Sequence, residues 1–321
     1  MSTTPSALMG RILLVRNDRF GEFLLNIPAF RAIKESYPGA QVTVAVAPGV
    51  EELARAVPFI DRVLVFPPEN SAWFELVRFV LFLRREKYDA AVVLNPTARA
   101  HQILFWAGIP RRAGYARKHA FFLTDRIADR KGLGHRHEVE NNLDLVALLG
   151  CATADKSLVL NVPVDIQDHV ARKWGLDPSE RYVAVHPWTS DSVKQWPLEN
   201  FEQLVTTLAQ DKAHRVVLIG RPEAWHRPLR VPRSDRVIDL SGRTSLLEAA
   251  AVLRCCSVLV SCDSGPVHLA ASVGTKVVAL FRDDMPGKNP ERWGPWPVFN
   301  HAVVAAGRLE QITLEQVMAR I

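Results

Sequence analysis

Cysteine is scarce in this 321-residue sequence: four in all, Cys151, Cys255, Cys256 and Cys262. No two form a CxxC pair and no histidine pair lies nearby, so neither a disulfide framework nor a zinc site is expected. The thiols read as small buried apolar groups in a reduced compartment. Also missing is any apolar run near the roughly 20 residues that cross a bilayer, and residues 1–10 lack a signal-peptide core. The expected location is therefore cytoplasmic. Neither GxGxxG nor GxxxxGK[ST] occurs, which withholds support from a dinucleotide fingerprint or a P-loop. Repeats of solenoid length and low-complexity tracts are absent too.

What is present is the composition of a globular protein long enough for two domains, 48% hydrophobic and 23% charged. The net charge of +6 favours anionic partners. Its distribution is uneven. Between Arg99 and Arg136 lie Arg111, Arg112, Arg117, Lys118, Arg126, Arg130 and Lys131, opposed only by Asp125 and Asp129. Such a stretch is either a solvated basic loop or a seat for an anionic ligand.

Short Val, Ile and Leu runs alternate with helical patterns, the signature of βαβ units and a parallel sheet. The pattern occurs twice. Strands are predicted at 12–15, 42–47, 63–66 and 90–94, then at 182–186, 216–220, 237–240, 258–261 and 277–281. Helices are predicted at 23–36, 73–86, 98–107 and 138–149, then at 198–210, 246–254 and 267–273. Pro28 should kink the first helix or delay its regular start. Around the junction a short strand at 158–160 and a helix near 166–175 are expected. The predicted division is a first domain over 1–163, a second over 164–308, and a closing helix within 309–321 that is a candidate to pack back on the first domain. Both domains read as doubly wound α/β folds.

In such sheets ligands bind at the carboxyl ends of strands, so the residues just after each strand carry the functional argument. After the first strand comes Arg16-Asn17-Asp18-Arg19-Phe20-Gly21-Glu22. A glycine followed by a carboxylate at a helix start admits a ligand and aims a potential base at it; equally, Glu22 could serve only the helix dipole and Asp18 only a turn. After the first strand of the second domain comes His186-Pro187-Trp188-Thr189-Ser190, leading to Lys194-Gln195-Trp196-Pro197. Its hydroxyls and ammonium suit a phosphate, or an ordinary N-cap with an exposed lysine. The third place is Cys262-Asp263-Ser264-Gly265-Pro266-Val267-His268. Here a helix N-terminus offers the amides of Gly265, Val267 and His268 to a diphosphate, Pro266 suits an early helical position, and Asp263 could accept from sugar hydroxyls or act as an N-cap. The fourth is Gly220-Arg221-Pro222-Glu223, whose glutamate could accept from a ribose diol.

In this order the four segments resemble glycosyltransferase family nine, the ADP-heptose lipopolysaccharide heptosyltransferases and their relatives. The most specific matches are the run from Asp263 to Ala271 followed by Gly274-Thr275, then Lys194-Gln195-Trp196-Pro197, then Arg292-Trp293-Gly294-Pro295. The resemblance implies an α/β fold of GT-B type, two Rossmann-like doubly wound domains facing a central cleft. It also implies an inverting, metal-independent transfer with no cofactor and a nucleotide-sugar donor, ADP-heptose, as substrate. Carried over, Thr189, Ser190 and Lys194 would neutralise the diphosphate together with the amides around Gly265; Glu223 would hold the ribose; Asp263 would hold the sugar, supported by Ser264, Pro266, Val267 and His268.

The family's aspartate base falls on Glu22, one methylene longer, which leaves Asp18 as the alternative. Its Gly-Pro-Thr turn is replaced by Phe281-Arg282-Asp283-Asp284-Met285-Pro286-Gly287-Lys288, which opens the identity of the donor sugar. Under this resemblance Arg19, Arg111, Arg112, Arg117 and Lys118 would meet an anionic saccharide or glycolipid acceptor at the inner membrane surface. Competing expectations are a relative using another nucleotide sugar or a soluble acceptor, and a nucleotide-binding scaffold without turnover. No nucleic-acid recognition module is visible, so no nucleic-acid partner is expected.

Overall fold

The computed structural model describes residues 9–221, 227–231 and 233–321. It divides into two compact units, one comprising the chain up to Gly132 with Glu138–Lys156, the other Leu133–His137 with Ser157–Ile321. This places the division at Lys156 to Ser157, ahead of the expected 163/164 boundary, and gives a short piece of the basic stretch to the second unit.

The first unit runs β1 (Arg11–Arg16), α1 (Phe20–Leu24), α2 (Ile27–Ser36), β2 (Gln41–Val46), α3 (Glu51–Arg55), β3 (Arg62–Val65), α4 (Trp73–Glu86), β4 (Ala90–Val93), α5 (Ala98–Trp106), β5 (Arg111–Tyr115), β6 (Asp125–Ile127) and α6 (Glu138–Ala147). The second runs α7 (Val164–Trp174), β7 (Tyr182–His186), α8 (Leu198–Gln210), β8 (Arg215–Leu218), β9 (Val237–Asp239), α9 (Leu246–Arg254), β10 (Cys256–Cys262), α10 (Gly265–Ser272), β11 (Lys276–Arg282), α11 (Pro290–Trp293), β12 (Ala302–Ala306) and α12 (Leu314–Met318).

Each unit holds one parallel six-stranded sheet, in the orders β3-β2-β1-β4-β5-β6 and β12-β11-β10-β7-β8-β9. The central strands are continuous apolar runs because helices cover both faces; every residue of β1 after Arg11 is buried. In both sheets the chain winds outward from a central strand and returns to its other side. The direction therefore reverses between β1 and β4 and between β7 and β10, and at these two points the loops after the strands diverge and leave room for a ligand.

Local chemistry explains where elements begin and end. The predicted first helix is two: α1 stops at Leu24, and α2 restarts with Pro28 at its first turn, where the missing N–H costs nothing. The 158–160 segment forms no strand; Leu160 only donates its N–H to the Ser272 carbonyl at 2.9 Å. The closing helix α12 is built into the second unit, where Leu309, Ile312 and Val317 join the core of Trp196, Phe201 and Leu204. The expected return to the first domain is thus replaced by burial beside α8, because its apolar positions complete that core.

Candidate functional site

At the carboxyl end of β1, Arg16 is almost fully buried. Its Nε donates to Asp18 Oδ1 at 2.7 Å, its Nη1 donates to the Leu94 carbonyl at 3.2 Å, and Glu138 Oε1 lies 4.0 Å away. The Leu94 bond ties the loop after β1 to the loop after β4, across the reversal point. Lys131 Nζ reaches Glu138 Oε1 at 3.0 Å, giving that buried carboxylate a second cation.

Two carboxylates follow from the local chain. Asp18 is committed to Arg16. Glu22, in the first turn of α1 after the buried Gly21, is the freer of the two. Burial pushes its carboxyl above the usual range, the nearby Asp18 charge adds to this, and Arg16 partly opposes it. A carboxyl raised in this way is a stronger proton acceptor when ionised.

The predicted basic residues separate. Arg19 is exposed beside Glu22 at the carboxyl edge. Arg111 and Arg112 open β5, at the amino end of the sheet, opposite the reversal point. Arg111 Nη2 donates to the Leu148 carbonyl at 2.6 Å, while Arg112 binds the Phe122 carbonyl at 2.7 Å and the Ile109 carbonyl. Both side chains thus join strand and loop ends at the edge opposite the reversal point, away from Glu22. Arg117 and Lys118 follow β5 at the carboxyl edge, Arg117 paired with Asp129 at 2.8 Å. The His101 Nδ1–H donates to the Lys118 carbonyl at 2.8 Å, which holds the left-handed backbone there.

Among the residues whose buried polar atoms lack a protein partner in the described structure, Asn17 (Oδ1) and Arg99 (Nε and Nη2) stand at this carboxyl edge, and the sequence pattern gave neither a role. Arg99 stands in the first turn of α5, at the carboxyl end of β4. The signal for it was available, a cation one residue past a helix start that follows a strand.

At the reversal point of the second sheet, the loop after β7 folds on itself. Gln195 accepts from Thr189 N–H at 3.1 Å and donates to the Pro187 and Trp196 carbonyls at 2.6 and 2.7 Å. Trp196 is a core anchor, fully buried, edge-on to Phe201 and donating from Nε1 to the Ile312 carbonyl. With its neighbours so fixed, Lys194 reaches Asp263 Oδ2 at 2.5 Å. Burial pushes the Asp263 carboxyl up and Lys194 counters it. Lys288 pairs with Asp191 at 3.2 Å, adding a cation to this loop that sequence reasoning left in the divergent segment after β11.

Around α10 the expected donors are partly spent. The Val267 N–H goes to the Ser264 carbonyl at 3.1 Å, and Thr189 donates its hydroxyl to the Asp191 carbonyl at 2.7 Å. Gly265 and Pro266 open the helix as predicted, and Ser190 is exposed. Ser264 shares a network with Ser261 at 2.9 Å and His186 Nδ1 at 3.3 Å. His186 lies so close to Gly220 that a Cβ there would stand 2.3 Å from the ring, and the glycine's φ of +104° also suits no other residue. His268 is buried with Nδ1 unpartnered among the described residues, and burial together with His137 and Lys194 drops its pKa to about 3. It is a neutral imidazole. Glu223 lies outside the described residues. Among those described, no cluster of three or more His, Cys, Asp or Glu side chains could hold a metal ion.

The family model for glycosyltransferase family 9 (heptosyltransferase) matches residues 76–317, well over half of the chain. The chain is 24% identical over 298 residues to the lipopolysaccharide heptosyltransferase 2 of Escherichia coli, covering 87% of this chain and 85% of that one. A family 9 glycosyltransferase structure from Veillonella parvula superposes with a TM-score of 0.83 at 19% identity, covering 99% and 98% of the two chains. The structure of Escherichia coli ADP-heptose lipopolysaccharide heptosyltransferase II gives 0.80 at 20% identity, with 97% of each covered. The two parallel sheets and the matched span agree: the chain belongs to glycosyltransferase family 9 (heptosyltransferase), and is a glycosyltransferase of GT-B fold.

Proposed function

We propose that the protein transfers a heptose, or a closely related sugar, from an ADP-activated donor to a hydroxyl of a lipopolysaccharide-type acceptor, with inversion. The observation that carries this reading is the pair of reversal-point sites: a base-ready carboxyl at Glu22 and a cation-lined helix start at Lys194 and Gly265. The curated relative and the solved relative named above both carry lipopolysaccharide and heptosyltransferase in their names, and the solved one carries ADP-heptose as well, which supports the donor and acceptor classes.

In the proposed step the acceptor O–H gives its proton to Glu22 as its oxygen bonds to the anomeric carbon. The bond from that carbon to the diphosphate oxygen breaks, and its electron pair leaves with ADP. Lys194, Lys288 and the amides of Gly265 and His268 meet the charge that develops there, fixed cations doing what a divalent ion does elsewhere. Asp263 would orient Lys194 and accept from the sugar, and the neutral His268 adds a hydrogen-bonding group without a competing charge. Ser190 and Glu223 keep their proposed donor contacts. The acceptor's anionic groups would meet Arg19, Arg99 and Lys118.

The test is thermal stability of the purified chain against ADP, UDP, GDP, CDP and dTDP with EDTA throughout. At about 100 times its dissociation constant the true nucleotide adds roughly 2.7 kcal/mol. Stabilisation by ADP alone is expected. Selectivity for another base would overturn the ADP-heptose donor, and stabilisation by none would overturn the donor site. A family relative with a different sugar is favoured by one observation, the Arg282-Asp283-Asp284 turn, in which Arg282 is locked to Asp284 at 2.6 Å.

A further inference from the structure

The side of the first sheet covered by α4, α5 and the 3-10 turn Ala120–Phe122 carries apolar residues at two levels. The inner level, including Phe79, Leu83, Ile103, Leu104 and Ala120, forms the core of that layer. The outer level has no core to enter: Trp73 is 75% exposed, Phe121 70%, Trp106 63% and Phe74 50%. Among the described residues every exposed phenylalanine or tryptophan lies on this one layer. Elsewhere exposed apolar side chains are scattered singly, which is ordinary; a gathering of aromatic groups marks an interaction surface.

Helix α4 supplies the rest. Trp73, Val77 and Leu81 recur at four-residue spacing, so they fall on one outward line. Arg78, Arg84 and Arg85 are exposed beside that line, and none enters an ion pair among the described residues. The acidic residues of the helix are occupied, Glu75 by the Ala72 N–H at 3.0 Å and Glu86 by Arg11 and Arg62 at 3.1 and 2.7 Å. A groove on the same helix is lined by Pro67, Glu75, Arg78, Leu81, Phe82 and Arg85, apolar walls with two guanidinium groups.

Charge decides the occupant. A second copy docked through the same face would bring two arginine-bearing faces together, with the carboxylates of α4 already occupied and unable to meet them. A surface of lipid phosphates neutralises them. Tryptophan suits the boundary between headgroups and acyl chains, and a basic amphipathic helix lies in that plane. No described helix is long and apolar enough to cross a membrane, so docking is from the surface.

We propose that this layer is a docking surface for an anionic phospholipid bilayer, with Trp73, Phe74, Trp106 and Phe121 entering the headgroup boundary and Arg78, Arg84 and Arg85 on lipid phosphates. The proposal reaches beyond the transfer reaction, and its readout does not depend on turnover or on nucleotide binding.

The test is flotation of the full chain with vesicles of phosphatidylethanolamine plus phosphatidylglycerol, and with vesicles of phosphatidylcholine alone, at low and high salt. Binding to the anionic vesicles is expected, at least roughly tenfold tighter than to the zwitterionic ones and weakened by salt. The R84Q/R85Q variant should bind roughly thirtyfold more weakly, at about 1 kcal/mol per basic side chain near the surface. W73S/F121S should lose binding at low salt as well, with thermal stability and nucleotide stabilisation unchanged in both variants. Absence of binding to anionic vesicles, equal binding by either double variant, or a lipid-free dimer that W73S/F121S dissociates would each overturn the proposal.

Discussion

At the reversal point of the first sheet a buried cation, Arg16, sits among Asp18, Glu22 and Glu138; at that of the second a buried anion, Asp263, is met by Lys194 beside an uncharged His268. The sheets share one winding, yet their centres carry opposite signs. A buried guanidinium keeps its charge at every ordinary pH and is bonded to Asp18, while Glu22, one helical turn on, is pushed toward its neutral form by burial. In the proposed reaction the lysine of the second centre turns from Asp263 to an incoming phosphate. There the first edge takes a proton and the second receives negative charge, and a displacement needs both.

The largest test of that contrast is E22Q. Loss of a general base should lower kcat roughly a hundred- to ten-thousandfold while nucleotide affinity stays put. If E22Q keeps its turnover and D18N loses it, the base moves to Asp18. The stability effect has a worked sign. A carboxyl whose folded pKa is raised contributes stability that is present below its unfolded value and lost as pH rises through the raised one. Above that raised pKa the ionised Glu22 therefore destabilises, and E22Q should melt there no lower than the parent. For the same reason kcat should fall as pH drops through the raised Glu22 pKa.

His268 gives the opposite sign in the second unit. Its folded pKa of about 3 lies well below the unfolded value of 6.5. As pH falls below the unfolded value only the unfolded chain takes up the proton, costing on the order of 3 kcal/mol by pH 4. His301, lowered by burial to about 4, adds to this. Urea unfolding of H268L should show a flatter profile between these pH values than the parent. An unchanged acid slope would mean that the imidazole is charged in the fold, and the contrast between the two edges would go with it.

The two edges also differed in how far they could be read from the sequence. Lys194 to Pro197 and Asp263 to His268 are contiguous, with strand end, helix start and functional group in one run, so local rules place them. The first edge is assembled from Arg16, Leu94, Lys131 and Glu138, far apart in the chain and joined only by the sheet order. Strands β5 and β6 lack an apolar run because they open on Arg111-Arg112 and Asp125-Arg126; β6 is the edge strand and β5 its neighbour, and both are short. The left-handed backbone at Lys118 and His119 gave no glycine to mark it.

The smallest expected effect concerns the basic stretch. Arg112 donates to carbonyls of its own unit, lies over the Phe105 ring at 5.5 Å, and has its pKa lowered by burial. R112A leaves those carbonyls without their donor and should cost about 1 kcal/mol, with the acceptor KM unmoved. Arg99 has buried nitrogens with no protein partner among the described residues and stands at the carboxyl edge. R99Q should therefore raise the acceptor KM with little change in stability. If instead R112A raises that KM and R99Q does not, acceptor recognition lies at the amino edge of the sheet, and the reversal point would serve only proton transfer.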